Sequence, residues 1–301
     1  MYIFWLNAAF KIWNAAGAFG YVRAKSAANT WLFDLEALFS QSEKVFGTMK
    51  QLKNLKVVAV ERLRADYGLV RLTDPDAPLP PIAPGQFVEV RVAGAPHVFL
   101  RRPISVNFVE RDRNELWLLV HAVGEGTRAL CDLSAGDTLD CLFPLGRGFS
   151  LPESKRVLLV GGGVGCAPLL YLGSELKRVG SEPTFLLGGR TGEDLLQLDL
   201  FEKIGRVCLT TEDGSRGTQG FVTNHAAMQE PFDLIQTCGP KPMMMAVARV
   251  AKERGIPCEA SLENLMACGV GACLCCVEKT TEGHRCVCTD GPVFRTEDLL
   301  W

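Results

Sequence analysis

Between Ala267 and Asp290 the chain carries six of its 12 cysteines, and their spacing restricts what this segment can become. Cys268, Cys273 and Cys276 stand at C-x4-C-x2-C intervals, and Arg285-Cys-Val-Cys-Thr-Asp290 follows about ten residues later. This is the plant-type [2Fe–2S] spacing, in which three thiolates on one tight loop and a fourth from later in the chain hold two irons. Gly269 and Gly271 suit such a loop, which needs unusual backbone dihedrals and amides that approach sulfur closely. Spacing alone leaves the fourth ligand open between Cys286 and Cys288, which lie two apart and would share one face of a strand. A structural zinc site is the alternative. Zinc ribbons usually pair one C-x2-C with a second, and the second is missing here, so iron–sulfur is the preferred reading. Thiols clustered in this way, rather than spread through a short disulfide scaffold, point to a reducing, cytoplasmic setting.

At 301 residues the chain is long enough for two or three domains at about 150 residues each. Its 48% hydrophobic and 22% charged content supports a buried core. A net charge of −2 gives no reason to expect a nucleic acid or an anionic membrane as partner. Residues 1–48 differ from the rest. Met1 to Val22 is apolar and aromatic but interrupted by Asn7, Lys11 and Asn14, which is marginal for a spanning helix of about 20 apolar residues. It also lacks the basic opening of a secretory signal. A membrane-surface helix and a partner-binding arm are alternatives; the favoured expectation is an upstream start, with the working protein beginning at Met49.

From Leu55 the pattern is β. Lys56–Glu61, Tyr67–Leu72, Pro84–Val92 and Glu115–His121 alternate or run apolar between Gly, Pro and Asp turns, which predicts a small closed barrel. A short helix is expected after Gly124-Glu-Gly-Thr127. Beyond Pro152 the rhythm becomes α/β. Strands are expected at 155–160, 183–187, 206–210 and 232–237, with helices over Cys166–Arg178 and Lys241–Arg254. Strand–helix alternation with short apolar strands predicts a parallel sheet covered on both faces.

Two glycine turns fall at expected carboxyl ends of parallel strands, where ligands bind in open α/β sheets. In Gly161-Gly-Gly-Val-Gly-Cys-Ala-Pro168, Gly161, Gly163 and Gly165 would let the backbone approach a pyrophosphate at a helix start. Cys238-Gly239-Pro240 is the second turn. In the barrel, Arg101 and Arg102 stand beside Ser105, and a guanidinium fork suits a pyrophosphate. The four histidines, His97, His121, His225 and His284, are scattered, so no hydrolytic or metal-catalytic centre is indicated.

Taken together, Arg102-Pro-Ile-Ser105, Gly126-Thr127, Pro144-Leu-Gly-Arg-Gly-Phe149, the Gly161–Pro168 turn and Cys238-Gly-Pro240 resemble the ferredoxin–NADP reductase superfamily. Ser261-Leu-Glu-Asn-Leu-Met-Ala-Cys268-Gly-Val-Gly-Ala-Cys273, with Val287-Cys-Thr-Asp-Gly-Pro-Val-Phe294, is similar to the electron-transfer subunits of NAD-dependent (class 1B) dihydroorotate dehydrogenase. The resemblance spans residues 49–301. It implies an FAD-binding β-barrel over 49–150, an NAD-binding α/β domain over 151–257 and a [2Fe–2S] domain over 258–301. It further implies that Arg102, Pro103, Ile104 and Ser105 hold FAD, with Arg102 on the phosphates and Ser105 near the isoalloxazine. Val120, His121 and Ala122 would line the flavin, and Gly126 and Thr127 its pyrophosphate. The family places the fourth cluster ligand just before Asp-Gly-Pro-Val-Phe, which selects Cys288 and leaves Cys275 and Cys286 as packing residues. No substrate barrel and no base for dihydroorotate stand out, so the implied partner is an FMN-bearing catalytic subunit, two of each chain forming a heterotetramer in pyrimidine biosynthesis. The rival is the small flavin subunit of an NADH-dependent ferredoxin–NADP oxidoreductase or sulfide dehydrogenase. In that group aspartate commonly replaces the first cluster cysteine, whereas this chain has Cys268. Arg190 is a candidate for a 2′-phosphate, although the family implies NAD. Trp301 is open between covering the flavin and simply packing.

Overall fold

Six antiparallel strands close into a barrel at the start of the region described by the computed structural model, which covers residues 50–92, 95 and 97–301. The expectations for residues 1–48 lie outside the described residues. The strands are β1 (Gln51–Arg64), β2 (Tyr67–Thr73), β3 (Phe87–Val90), β4 (Arg102–Glu110), β5 (Glu115–His121) and β6 (Thr138–Leu145), in the order β1-β2-β5-β4-β3-β6. Side chains alternate across each strand, so Leu55 and Val57, Val70 and Leu72, and Leu116 and Leu118 all reach one core. Burying each contributes about 1.5–3 kcal/mol. The third strand is shorter than the sequence pattern suggested. β6 was not expected, because Asp140 and Pro144 interrupt its apolar run; Asp140 is held instead by both branches of an ion pair with Arg101, at 2.9 and 3.0 Å. The short helix α1 (Glu125–Cys131) follows β5 as expected, but it starts within the Gly124–Thr127 turn, with Gly124 as its N-cap, rather than after it.

The parallel sheet begins with β7 (Arg156–Gly162). Helix α2 (Ala167–Arg178), β8 (Glu182–Gly189), α3 (Leu198–Ile204), β9 (Arg206–Thr211), β10 (Thr218–Gln219), β11 (Leu234–Cys238), α4 (Lys241–Glu253) and β12 (Cys258–Ser261) follow. Val157 and Leu159 of β7 enter the core on one face, Leu158 and Val160 the core on the other. An unbroken apolar run is what a strand covered on both faces requires. The chain then forms a hairpin, β13 (Val277–Thr280) and β14 (Gly283–Cys286), a one-turn helix α5 (Val287–Asp290) and β15 (Val293–Arg295). The sheet runs β10-β9-β8-β7-β11-β12-β15, with β15 antiparallel to β12. Two of its strands therefore come from beyond residue 257, and they tie the cysteine-rich segment to the sheet.

Helix α2 locks barrel and sheet together. The Tyr171 hydroxyl donates to the Ile82 carbonyl at 2.9 Å, and the buried Asn107 amide of β4 donates to the Ala167 carbonyl at 3.0 Å. Among the described residues no helix is long and apolar enough to cross a membrane.

Candidate functional site

The Cys268–Cys276 loop winds around its own sulfurs. The amides of Val270 and Cys273 donate to Cys268 Sγ at 3.5 and 3.4 Å, and that of Gly271 to Cys288 Sγ at 3.2 Å. The Cys288 amide donates to Cys276 Sγ at 3.4 Å. Gly269 and Gly271 adopt φ of +67° and +81°, which glycine takes without strain. Leu274 is also left-handed, at +58°. Amide donation from Val270, the leading cause, lowers the Cys268 thiol to about 6, while burial raises that of Cys288 to about 12. Amides converging on sulfur are the environment that thiolate ligands of a cluster need. Among the described residues no three His, Cys, Asp or Glu side chains gather tightly enough around a point to hold a single metal ion. A [2Fe–2S] centre shares its four thiolates between two irons, so the donor set fits that group. The fourth-ligand candidates do not share a strand face. Cys286 ends β14, whereas Cys288 sits in α5, because the chain turns where the Asp290 carboxylate accepts the Cys286 amide at 3.0 Å.

The cysteine loop rests on the barrel. A Cβ on Gly269 would lie 2.6 Å from Glu89 Cγ and 3.0 Å from Leu145 Cδ1. Phe87 and Leu145 of the barrel share one core with Cys276 and Cys288, and Phe87 is the register partner of Ser105. The stretch expected to meet the isoalloxazine is thus one residue pair from the cysteine core. Farther along the barrel, Arg102 comes to Gly126: a Cβ there would lie 3.2 Å from Arg102 Nε and from Val98 Cγ1. This cradle, which any side chain would fill, fits a phosphate held by a guanidinium. Thr127 spends its hydroxyl on the Gly124 amide at 3.0 Å. The side chains of Val120, Ile104 and Ala122 pack into or against the barrel core, so Val120 can meet a ligand through its backbone alone.

A cleft of about 650 Å³ opens between the two glycine turns and the barrel. Gly162, Gly163, Gly165, Gly239 and Pro240 line one side, and Tyr67 and His121 the other. Gly161 lies beneath, paired in β7, and the Cys238 thiol is buried in the sheet core, which pushes it well above its ordinary range. The turns touch: a Cβ on Gly165 would lie 2.4 Å from Gly239 Cα and 2.5 Å from the Cys238 carbonyl oxygen. At the far end Arg190, Asp194 and Glu212 line the cleft, so the expected arginine is accompanied by two carboxylates. Trp301 packs against the core around Met244, Leu262 and Leu299, the second of its two expected roles.

Sequence reasoning named His121 through the resemblance, as a flavin-lining residue, but missed Tyr67, Arg64 and Glu89. Tyr67 and His121 stack with ring centroids 4.3 Å apart, and Arg64 joins the barrel to the cleft through Asp66 and, at 2.6 Å, Asp194. Glu89 is the most anomalous. It is fully buried, and neither carboxylate oxygen has a hydrogen-bond partner. The visible signal was a charge inside the apolar run Phe87-Val-Glu-Val90. Burial pushes its carboxyl from 4.5 up to about 7, against the opposing pull of Arg101. Below pH 4.5 the group is neutral in folded and unfolded chains alike, so it costs nothing there. Above that pH the unfolded chain ionises first, so stability falls until about pH 7, by about 3 kcal/mol in all. Glu89→Gln should remove this slope from urea unfolding curves of the cofactor-free protein. An unchanged slope would place the penalty elsewhere.

Comparison with known proteins agrees with this geometry. The family model described as the iron–sulfur cluster binding domain of dihydroorotate dehydrogenase B matches residues 263–300. Dihydroorotate dehydrogenase B (NAD(+)) electron transfer subunits are similar over most of the chain. That of Caldanaerobacter subterraneus is 42% identical over 223 residues, 72% of this chain and 87% of the relative. That of Shouchella clausii is 42% identical over 226 residues, 72% and 86% respectively. Among solved structures, the NADH-dependent reduced ferredoxin–NADP oxidoreductase aligns with a TM-score of 0.72 at 32% identity, over 82% of this chain and 90% of that one. A ferredoxin–NADP+ reductase from Neisseria gonorrhoeae, at 17% identity and a TM-score of 0.56 over 68% of this chain and 92% of that one, shares the fold. The expected class, a barrel, a parallel α/β sheet and a C-terminal iron–sulfur segment, is the class observed. The chain belongs to the family of dihydroorotate dehydrogenase B (NAD(+)) electron transfer subunits.

Proposed function

We propose that this chain carries electrons from dihydroorotate, oxidised on an FMN-bearing partner subunit, through a [2Fe–2S] centre and FAD to NAD+, within the cytoplasmic synthesis of pyrimidines. The partner assembly is two copies of each chain. Domains are assigned as 49–150 for FAD, 151–257 for NAD and 258–301 for the cluster, with Cys268, Cys273, Cys276 and Cys288 as its ligands. One observation carries the reading: the three candidate sites adjoin along the barrel. The cysteine loop lies on β3, β3 pairs with the Arg102–Ser105 strand, and the barrel forms one wall of the nucleotide cleft.

FAD exchanges hydride with a nicotinamide and single electrons with an iron–sulfur centre, so it links the two halves of the path. The chain's own residues supply position and environment. Arg102 offers a fixed cation beside the Gly126 cradle, and Ser105 a hydroxyl one strand from Phe87. Phe87, Leu145, Met244 and Leu262 keep water from Cys276 and Cys288. The turns at Gly162–Gly165 and Gly239–Pro240 bring backbone to the nucleotide, with Tyr67 and His121 opposite. The resemblance to the ferredoxin–NADP oxidoreductase structure favours a second reading, as its small flavin subunit; Cys268, where that group commonly has aspartate, weighs against it.

Anaerobic purification tests the cofactor set. The chain should be yellow-brown, carry about one flavin and two irons, and bleach with NADH. A colourless, zinc-containing protein would refute it. Arg102→Ala removes a charge-assisted contact worth about 1.5–3 kcal/mol, so FAD should bind about 10–100-fold more weakly in equilibrium dialysis. Unchanged affinity would move the phosphates elsewhere.

A further inference from the structure

A [2Fe–2S] centre takes four thiolates, and beside the four candidates the C-terminal segment carries Cys275 within the loop and Cys286 next to α5. Cys286 pairs across the hairpin with Val277, the residue after Cys276, and the Val287 amide donates to the Cys276 carbonyl at 3.1 Å. The Cys286 side chain packs against the core that holds Cys276, Val287 and Cys288. That packing places Cys286 beside two of the four candidate ligands, Cys276 and Cys288.

Access separates the two candidates for the fourth position. Cys288 is 1% exposed and sits inside α5, while Cys286 is half-buried at its rim. Cys273 and Cys275 are exposed, Cys268 is half-buried, and Cys276 is buried. A cluster arriving from solution meets Cys273 and Cys286 before it can meet Cys276 and Cys288. The turn between Cys286 and Cys288 is held by the Cys286 amide donating to the Asp290 carboxylate and by the Thr289 hydroxyl donating to the Cys286 carbonyl.

We infer that Cys286 is an entry ligand, which takes the fourth iron position while the cluster is seated and then yields it to Cys288. The inference rests on the cluster reading proposed above. In the exchange, the iron–sulfur bond to Cys286 breaks as the bond to Cys288 forms. The proton of the Cys288 thiol passes to the departing Cys286 sulfur, and no iron, sulfide or electron is gained or lost. The incoming cluster is one carried by exchangeable thiolates, as on a small thiol-ligated [2Fe–2S] complex.

The test is anaerobic transfer from such a complex to FAD-loaded, cluster-free protein, followed by visible absorption, iron content and electron paramagnetic resonance. Cys286→Ala should reach the normal spectrum and iron content, but at least about tenfold more slowly. Cys288→Ala should still hold about two irons, with shifted resonance positions, because Cys286 stays in place. The Cys286→Ala, Cys288→Ala double variant should hold none. Loading of Cys286→Ala at the normal rate overturns the inference, and so does a Cys288→Ala protein as empty as the double variant while its FAD content is normal. Should Cys288→Ala lose FAD as well, the loading rate of Cys286→Ala decides. If the unaltered chain takes up no iron, the cluster assignment itself falls, and this inference with it.

Discussion

Replacing Cys276 with alanine is expected to abolish dihydroorotate-driven NADH formation in the assembled enzyme while leaving NADH-driven reduction of a dye near its normal rate. Cys276 is the central ligand candidate: buried, in the core shared with the barrel, and accepting the Cys288 amide at 3.4 Å. Cys286 cannot replace it, since it ends β14 and lies outside the C-x4-C-x2-C loop. Disturbing the surroundings of metal ligands costs about 10–100-fold, so loss of a ligand should exceed about 100-fold. Dye reduction needs the nucleotide cleft and the barrel alone, both distant in the chain from residue 276. Equal loss of both activities would mean that the substitution unfolds the protein or that electrons leave the flavin by another route.

The second large effect is expected from Gly165→Ala. One added methyl would meet Gly239 Cα at 2.4 Å and the Cys238 carbonyl at 2.5 Å. Both obstacles are backbone, so no side chain can swing aside, and the two turns must part. Overpacking of this kind costs about 1–3 kcal/mol, and both turns line the nucleotide cleft. The KM for NADH should rise at least about tenfold, the equivalent of 1.4 kcal/mol, with FAD and iron content retained. A normal KM would show that the two turns do not need their close approach to bind NADH.

The cysteine loop was legible because ligand spacing along a chain is itself the constraint: three thiolates on one loop have to be close in sequence. The Gly161–Gly165 and Cys238–Pro240 turns were legible for a related reason, since each follows a short apolar strand at an end where ligands bind. Other features depend on residues remote in sequence. β6 was hidden because Asp140, which breaks its pattern, is satisfied by Arg101 from the segment just before β4. β12 and β15 are four and three residues long, too short to show a period, and they exist because the sheet edge offers them a partner. Glu89 is buried where the cysteine loop, remote in sequence, lies against its side chain at Gly269. The Tyr67–His121 wall and the Arg64–Asp194 tie arise where β2 and β5 meet the cleft, and no local pattern in either segment announces them. Cys286 and Cys288 were expected on one strand; the Asp290 carboxylate, capping the chain from four residues away, turns them apart instead.

The central claim is that this chain couples a partner's dihydroorotate oxidation to NAD+. Its direct test is NADH formation from dihydroorotate by the chain co-expressed anaerobically with an FMN-bearing catalytic subunit, against each subunit alone. The account predicts activity from the pair and from neither subunit by itself. A chain that binds flavin and iron and reduces dyes with NADH, yet never couples to dihydroorotate beside that subunit, would contradict it and favour the ferredoxin-linked reading.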